Sequence, residues 1–174
     1  MTLLNEFKTE TTEYFREMTN NAGILPIVIK NNVVHLLLGK ETTSGRWSTF
    51  SGKQEEGEDF TTTALREFHE ETSNTFPYVT KDFVAEFQRS CLYSRTPTGK
   101  AIKLYLVDFS FCSQAQLSTE HFAANRRGSI TEYEKEKTEL RWVTLDEVKK
   151  LRLRYCFYKD LSKIIREINS AFNV

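Results

Sequence analysis

The chain has 174 residues, with 24 Lys and Arg against 24 Asp and Glu, so its formal net charge is zero. That length suits one domain with a real core, and the neutral balance argues against a general nucleic-acid binder held by phosphate neutralisation, leaving room only for a local basic cleft. Cys91, Cys112 and Cys156 follow no metal spacing and leave one unpaired, and no apolar run approaches the roughly 18 residues that a membrane helix needs, so the reading is a reduced, cytoplasmic chain with no membrane partner and no secretory signal.

In chain order, residues 3–18 set Leu3, Leu4, Phe7, Tyr14, Phe15 and Met18 among charges at near-helical spacing. This predicts an amphipathic helix able to pack on the domain or on a second copy in a homodimer. Residues 23–39 hold two apolar, β-branched runs around Lys30-Asn31-Asn32, which predicts a hairpin. Residues 40–47 read as a loop and 48–51 as a short strand. From Asp59 to Ser73 the period becomes helical, with Asp59 as N-cap, and Pro77 closes the region.

Residues 83–94 and 101–112 read as two further strands around a turn at Thr96-Pro97-Thr98-Gly99. Residues 113–138 are polar and give no clear pattern. The run 140–143 reads as a strand, after which Thr144 caps a short helix, 145–151. Residues 157–172 carry Leu161, Ile164, Ile165 and Ile168 in helical register. The order suggests a mixed sheet flanked by helices.

The acidic stretch GKQEEGEDFTTTALREFHEETSN, residues 52–74, carries the chemistry. On a helix, Glu67, Glu70 and Glu71 stand at i, i+3 and i+4 and share one face. Phe60, Ala64 and Phe68 lie on the adjoining stripe, about 90° away at 100° per residue. The carboxylates thus sit at the border of buried surface, where like charges repel and lose hydration. Arg66 can reach one of them but cannot neutralise three. A hard divalent cation, Mg²⁺ or Mn²⁺, can. On spacing alone the alternative is a solvated acidic helix.

Gly52, Glu58, Arg66, Glu67, Phe68, Glu70 and Glu71 fall at the fixed gaps of GX5EX7REUXEEXGU, where U is a bulky apolar residue, and the stretch resembles the Nudix box. Two positions depart: Ser73 stands for the closing Gly and Asn74 for the final apolar residue. Asn74 tolerates the left-handed conformation that ends such a helix better than most residues, so the helix end is expected to shift there. The family's frequent Gly-Gly is Gly52-Lys53 here. The likeness extends through the flanking strands and ELRWVTLDEV, over residues 22–155.

The resemblance implies an α/β/α sandwich with a mixed sheet and a catalytic loop-helix-loop. It places residues 1–174 in one domain, with an N-terminal helix at 1–20, the family core at 22–155 and a C-terminal helix at 157–174. It implies hydrolysis of the phosphoanhydride bond in a nucleoside diphosphate linked to a group X, with Mg²⁺ or Mn²⁺. Glu67, Glu70 and Glu71 would be metal ligands, helped by the Gly52 carbonyl; Arg66 would orient a carboxylate and Glu58 would support the loop-helix-loop. The base would be Glu67 or a Glu of residues 131–139, which offer Glu132, Glu134, Glu136 and Glu139; Glu136 is the first choice and Glu134 the second.

On the substrate side, Arg46, Lys53, Arg95 and Lys103 can meet phosphates, and Trp47, Phe50, Tyr93 and Tyr105 can stack on a base, though core packing or surface charge explains each as well. His35, His69 and His121 show no ligand spacing. The expected partner is a small nucleotide substrate. Nucleic acid enters only as a capped or 5′-phosphorylated RNA end. Nucleoside triphosphates, ADP-ribose-like sugars, dinucleoside polyphosphates, mRNA caps and diphosphoinositol polyphosphates all fit the class. The chain lacks an NADH-type motif after the box and the Pro that ADP-ribose hydrolases often carry, which tilts the reading away from those two. The alternative outside enzymes is a catalytically silent module that binds nucleotides; it usually loses box carboxylates, and this chain keeps them.

Overall fold

The computed structural model describes residues 19–95, 100–128 and 135–174. The helix expected at 3–18, the turn at 96–99, and Glu132 and Glu134 lie outside the described residues.

The hairpin forms as the sequence suggests. Strands β1 (Thr19–Lys30) and β2 (Val33–Glu41) pair antiparallel, Lys30 opposite Val33, across a turn in which Asn31 and Asn32 both take positive φ, 53° and 60°. Two short strands follow, β3 (Trp47–Ser48) against β2 and β4 (Phe50–Lys53) against β1. Helix α1 (Phe60–Glu71) starts at Asp59, whose Oδ1 accepts the Thr62 N–H at 2.7 Å.

Residues 83–94, expected to form one strand, divide between a helix and a strand. Residues Lys81–Phe87 form helix α2, capped by Thr80, which accepts the Phe83 N–H, and only Gln88–Arg95 form strand β5. The run FVAEF fits both periods; the cap and the aromatic contacts of Phe83 with Tyr78, Phe87 and Phe109 decide for the helix. Strand β6 (Ala101–Asp108) stops four residues before the expected end, because the Asp108 carboxylate accepts the Ser110 N–H and turns the chain.

In the polar stretch after β6, residues Gln114–Leu117 form α3 and Phe122–Gly128 form α4. Strand β7 (Lys137–Thr144) begins at Lys137 rather than at 140. The capping box at Thr144 and Glu147 starts α5 (Leu145–Val148), and α6 (Tyr155–Phe172) closes the chain.

Among the described residues seven strands join one mixed sheet. β1 lies parallel to β6, and the other pairings between these strands are antiparallel. Alternation along the strands sends side chains to two separate cores. Ile24, Val28, Tyr105 and Val107 face α1 and α2, together with Phe50, Phe68, Phe76 and Phe109. Leu25, Ile27, Leu104 and Leu106 face α6, together with Phe157, Leu161, Ile164 and Ile168. Helices therefore cover both faces, the expected α/β/α arrangement. Among the described residues no helix is long and apolar enough to cross a membrane.

Candidate active site

The site is built on the edge of α1. Its buried residues are Thr63, Ala64, Leu65, Phe68 and Glu71, so the last carboxylate of the acidic face turns into the protein. The helix ends at Thr72, and both Ser73 and Asn74 take left-handed conformations, φ 48° and 51°. The expected displacement to Asn74 is thus half the outcome: Ser73 keeps the conformation that glycine would favour and Asn74 repeats it. A left-handed residue other than glycine costs on the order of 1 kcal/mol. The Asn74 N–H bonds the His69 carbonyl at 2.8 Å, which offsets part of that cost.

Arg66 organises the upstream side. Its Nε donates to Glu58 Oε1 at 2.7 Å, and Nη2 donates to Glu58 Oε2 at 3.1 Å and to the Lys53 carbonyl at 2.8 Å. Nη1 donates to Glu67 Oε1 at 2.7 Å and to Glu70 Oε2 at 3.3 Å. One guanidinium therefore ties the loop before the helix to two carboxylates on it. The hydrogen bonds from Arg66, with those from the Glu55 N–H and Thr63, hold the Glu58 carboxyl down to about 2. Glu67 and Glu70 move the other way: burial raises both above the usual carboxylate range, and the neighbouring carboxylates, Glu136 among them, add to it despite Arg66.

Gly52 touches the same face. A Cβ on Gly52 would stand 2.1 Å from the Glu67 carboxylate carbon, so the absence of a side chain is what lets that carboxylate lie against β4. Gly52→Ala is expected to displace the Glu67 carboxylate and so to weaken any divalent ion held on this face about tenfold or more. Because the clash is with a side-chain end, the melting temperature should barely move. Calorimetric ion titration together with a thermal melt checks both.

Glu71 is 4 % exposed, and its Oε2 is buried without a hydrogen-bond partner among the described residues. The nearest cation is Lys137, 2 % exposed, whose Nζ lies 3.4 Å from that oxygen. Burial pushes the Glu71 carboxyl up to about 8, with Lys137 pulling down and Glu136 and Glu67 pushing further up. An unfolded Glu releases its proton near the model value of 4.5, so between that pH and about 8 the folded chain holds a proton that the unfolded chain has lost. Stability in chelator is therefore expected to fall as pH rises through that window, by up to about 1.4 kcal/mol per pH unit. Glu71→Gln should flatten the slope in denaturant titrations at several pH values.

Glu136 is exposed, but its backbone is anchored: its carbonyl accepts the Thr42 N–H at 2.8 Å, and Arg126 Nε donates to the next carbonyl, of Lys137, at 2.6 Å. With Gly52 and Glu71 it lines a cavity of about 270 Å³ that runs to α6 and is also bounded by Asn21, Tyr93, Phe157 and Lys163. Among the described residues, no three Asp, Glu, His or Cys side chains already surround an ion-sized point. Arg66 and Lys137 stand against those carboxylates instead.

Of the substrate-side candidates, Tyr93 lines this cavity. Phe50 and Trp47 are core residues, 0 % and 5 % exposed, and offer no face for stacking. Arg46 reaches the Leu153 carbonyl at 3.5 Å. Lys53 gives its carbonyl to Arg66, and Lys103 lies over the rings of Phe60 and Tyr105, 5.6 and 5.0 Å from their centroids. Arg95 ends β5. The cavity's cations are instead Arg154, paired with Glu41 at 3.0 Å, and Lys163, whose Nζ donates to the Tyr93 carbonyl at 2.8 Å. No motif singles out these two or Lys137; only the packing of α6 and the start of β7 bring them in. His69 packs into the fold, its Nε2 donating to the Val79 carbonyl at 2.8 Å.

A sequence model of the NUDIX domain matches residues 20–167. Among solved structures, the chain resembles the Ap4A hydrolase of C. elegans, with a TM-score of 0.55 and 20 % identity over 90 % of this chain and 99 % of that one. It also resembles the NUDIX domain of Shewanella oneidensis NrtR complexed with ADP ribose, with a TM-score of 0.54 and 16 % identity over 98 % of both chains. A third likeness is to a bifunctional NMN adenylyltransferase/ADP ribose pyrophosphatase from Francisella tularensis, complexed with AMP and a Mn ion: TM-score 0.59, 16 % identity, 95 % of this chain and 50 % of that one. At these identities the likeness speaks to the fold. No curated protein matches.

Proposed function

Because the chain belongs to the Nudix family of hydrolases, which act on phosphoanhydrides, we propose that it is a Mg²⁺- or Mn²⁺-dependent pyrophosphohydrolase of a compact nucleotide derivative. The observation that carries this reading is the run of carboxylates along the edge of α1, Glu67 against Gly52 and Glu70 on the same Arg66, leading to a cavity lined by Glu71 and Glu136, where one buried Glu71 oxygen has no hydrogen bond among the described residues. The donors are all hard oxygens at the edge of buried surface, which suits a small divalent cation. Bound there, such a cation neutralises phosphate charge and lowers the pKa of water.

In this reading Glu67, Glu70 and Glu71, with the Gly52 carbonyl, hold the metal. Arg66 sets the rotamers of Glu67 and Glu70, and Glu58 sets Arg66. Glu136 takes the proton from the attacking water: it is exposed, at the cavity, and close enough to raise the proton affinity of Glu67, Glu70 and Glu71. The rest of the substrate lies along Asn21, Tyr93, Phe157 and Lys163. Asn21 Oδ1 is buried without a partner among the described residues and can accept a hydrogen bond from a base or ribose. The cavity lies near the lower end of small-molecule sites, roughly 300–1,000 Å³, and its walls mix Lys163 and Arg154 with Asp160 and apolar side chains. That favours one nucleotide with a pyrophosphate link over a densely anionic inositol phosphate or a long RNA. Ap4A and ADP ribose, the ligands in the names of the structural neighbours, head the panel to be tested.

The test incubates the chain with Mg²⁺ or Mn²⁺ and a panel of nucleoside triphosphates, dinucleoside polyphosphates, nucleotide sugars and capped RNA, with products separated by chromatography. One class should yield a nucleoside phosphate and the phosphorylated remainder. Absence of turnover across the panel with both ions would sink the enzymatic reading.

A further inference from the structure

We propose that the Lys137 ammonium is a built-in cation of the carboxylate site, filling an oxygen cage that a divalent ion would otherwise occupy and so fixing how many ions the chain binds. The inference rests on the reading that the carboxylate face binds divalent cations.

Among the described residues, four oxygens surround Lys137 Nζ: Ser48 Oγ at 2.7 Å, the Thr49 carbonyl at 3.4 Å, Glu71 Oε2 at 3.4 Å and Glu41 Oε1 at 3.7 Å. They come from β2, β3 with the residue after it, and α1, and two are carboxylates. Remove the ammonium, and what remains is a donor set of the kind that holds Mg²⁺ or Mn²⁺.

A lysine normally keeps its head in water and buries only its stem. Here head and stem are both buried. Lys137 is 2 % exposed, and its stem is pinned: a Cβ on Gly39 would stand 2.9 Å from Lys137 Cδ, and the ammonium lies 5.9 Å from the centroid of the Phe50 ring. The head cannot swing out to be replaced by an exchanging ion. Removing this buried cation would leave the buried Glu71 and the half-buried Glu41 without the group that stands between them, and the vacated oxygens favour a substitute cation.

Glu41 and Glu71 play different parts in the cage. Glu41 Oε1 is also held by Arg154 at 3.0 Å and by the Ser48 hydroxyl at 3.2 Å, so it is fully used on the cage side. Glu71 Oε2 has no hydrogen bond among the described residues, and Glu71 lines the cavity with Gly52 and Glu136. Glu71 thus stands between the fixed cation and the place where exchangeable ions would bind. Glu41, in this scheme, never meets a divalent ion while Lys137 is present.

The experiment counts Mn²⁺ bound per full-length chain at saturation, reading free Mn²⁺ by electron paramagnetic resonance, with folding checked by circular dichroism. Lys137→Met, which keeps the stem and drops the charge, should bind one ion more than wild type. Glu41→Gln should leave the wild-type count unchanged, yet weaken the added ion of Lys137→Met at least tenfold. A wild-type count in folded Lys137→Met overturns the proposal, as does a lower count in Glu41→Gln alone. If Lys137→Met does not fold, Lys137→Gln is counted in its place, and the Glu41→Gln arm stands by itself. If the wild-type chain binds no Mn²⁺, the metal-dependent reading of the site falls and the cage falls with it; a wild-type chain that binds ions beside a Lys137→Met that gains none sinks the cage alone.

Discussion

Glu70→Gln is expected to lower turnover by on the order of 10³-fold, with a melting temperature within a few degrees of wild type. The two halves of this result have separate causes. The Glu70 side chain is 29 % exposed, and its main contact is the i,i+4 pair with Arg66 at 3.3 Å. Such a pair contributes only about 0.3–0.5 kcal/mol, and losing the charge also relieves repulsion from Glu55 and Glu136. Catalytically, a neutral amide cannot supply the anionic oxygen that a phosphoanhydride-splitting metal needs. The loss should appear in kcat and in Mn²⁺ affinity, with the substrate KM little changed. A Glu70→Gln chain that turns over its substrate at the wild-type rate would move the reaction away from the face of α1.

Phe68→Ala should cost about 3–5 kcal/mol in denaturant unfolding, the usual range for deleting a fully buried aromatic ring. For a chain of this size that is a melting temperature lower by roughly 6–20 °C. Phe68 is 0 % exposed and sits at the centre of an aromatic cluster, 5.4 Å from Phe50, 5.8 Å from Phe76 and 6.4 Å from Phe109 between ring centroids. It lies between Glu67 and Glu70 in sequence, so the same turn of α1 that presents the carboxylates is bolted to the sheet by this ring. Phe68→Leu refills part of the volume and should recover more than half of the loss. A cost under about 1 kcal/mol for Phe68→Ala would mean that α1 is held by something else.

What the sequence made legible was whatever local chemistry decides. Asp59 and Thr144 were readable as caps because a short polar side chain before an apolar run has one good use there, and both accept the expected N–H. The hairpin at Asn31-Asn32 and the placing of Glu58, Arg66, Glu67 and Glu70 within reach of one another follow from turn chemistry and helical spacing in the same way. What stayed hidden was decided by tertiary contact. FVAEF fits a strand as well as a helix until Phe83 meets Phe109. Trp47 and Phe50 have the chemistry to stack on a base, and only the packing of the two cores shows that they are spent. Lys137 is one more charge in an alternating run until β7 turns it inward toward Glu71. The cavity wall drawn from α6 is equally invisible in the sequence, because nothing in residues 155–172 beyond an amphipathic period says which side chains will stand across from Gly52.

The pairing of β1 with β6 bears on how the chain reaches this state. Ile24 lies beside Tyr105 and Ile27 beside Asp108, so the central parallel pair joins distant parts of the chain, and α1 lies inside the intervening loop. Parallel pairing of this kind demands closure of a long loop before any contact rewards it, which raises contact order and slows folding. The local pieces, the hairpin and α1, can form early. The carboxylates, however, gain their second wall only once Lys137 and Glu136 arrive with β7, which pairs with β2. A nascent chain would thus carry an acidic helix with no partner until its C-terminal third is made. Divalent-ion binding should therefore accompany the slowest kinetic phase of refolding and leave the early ones unchanged.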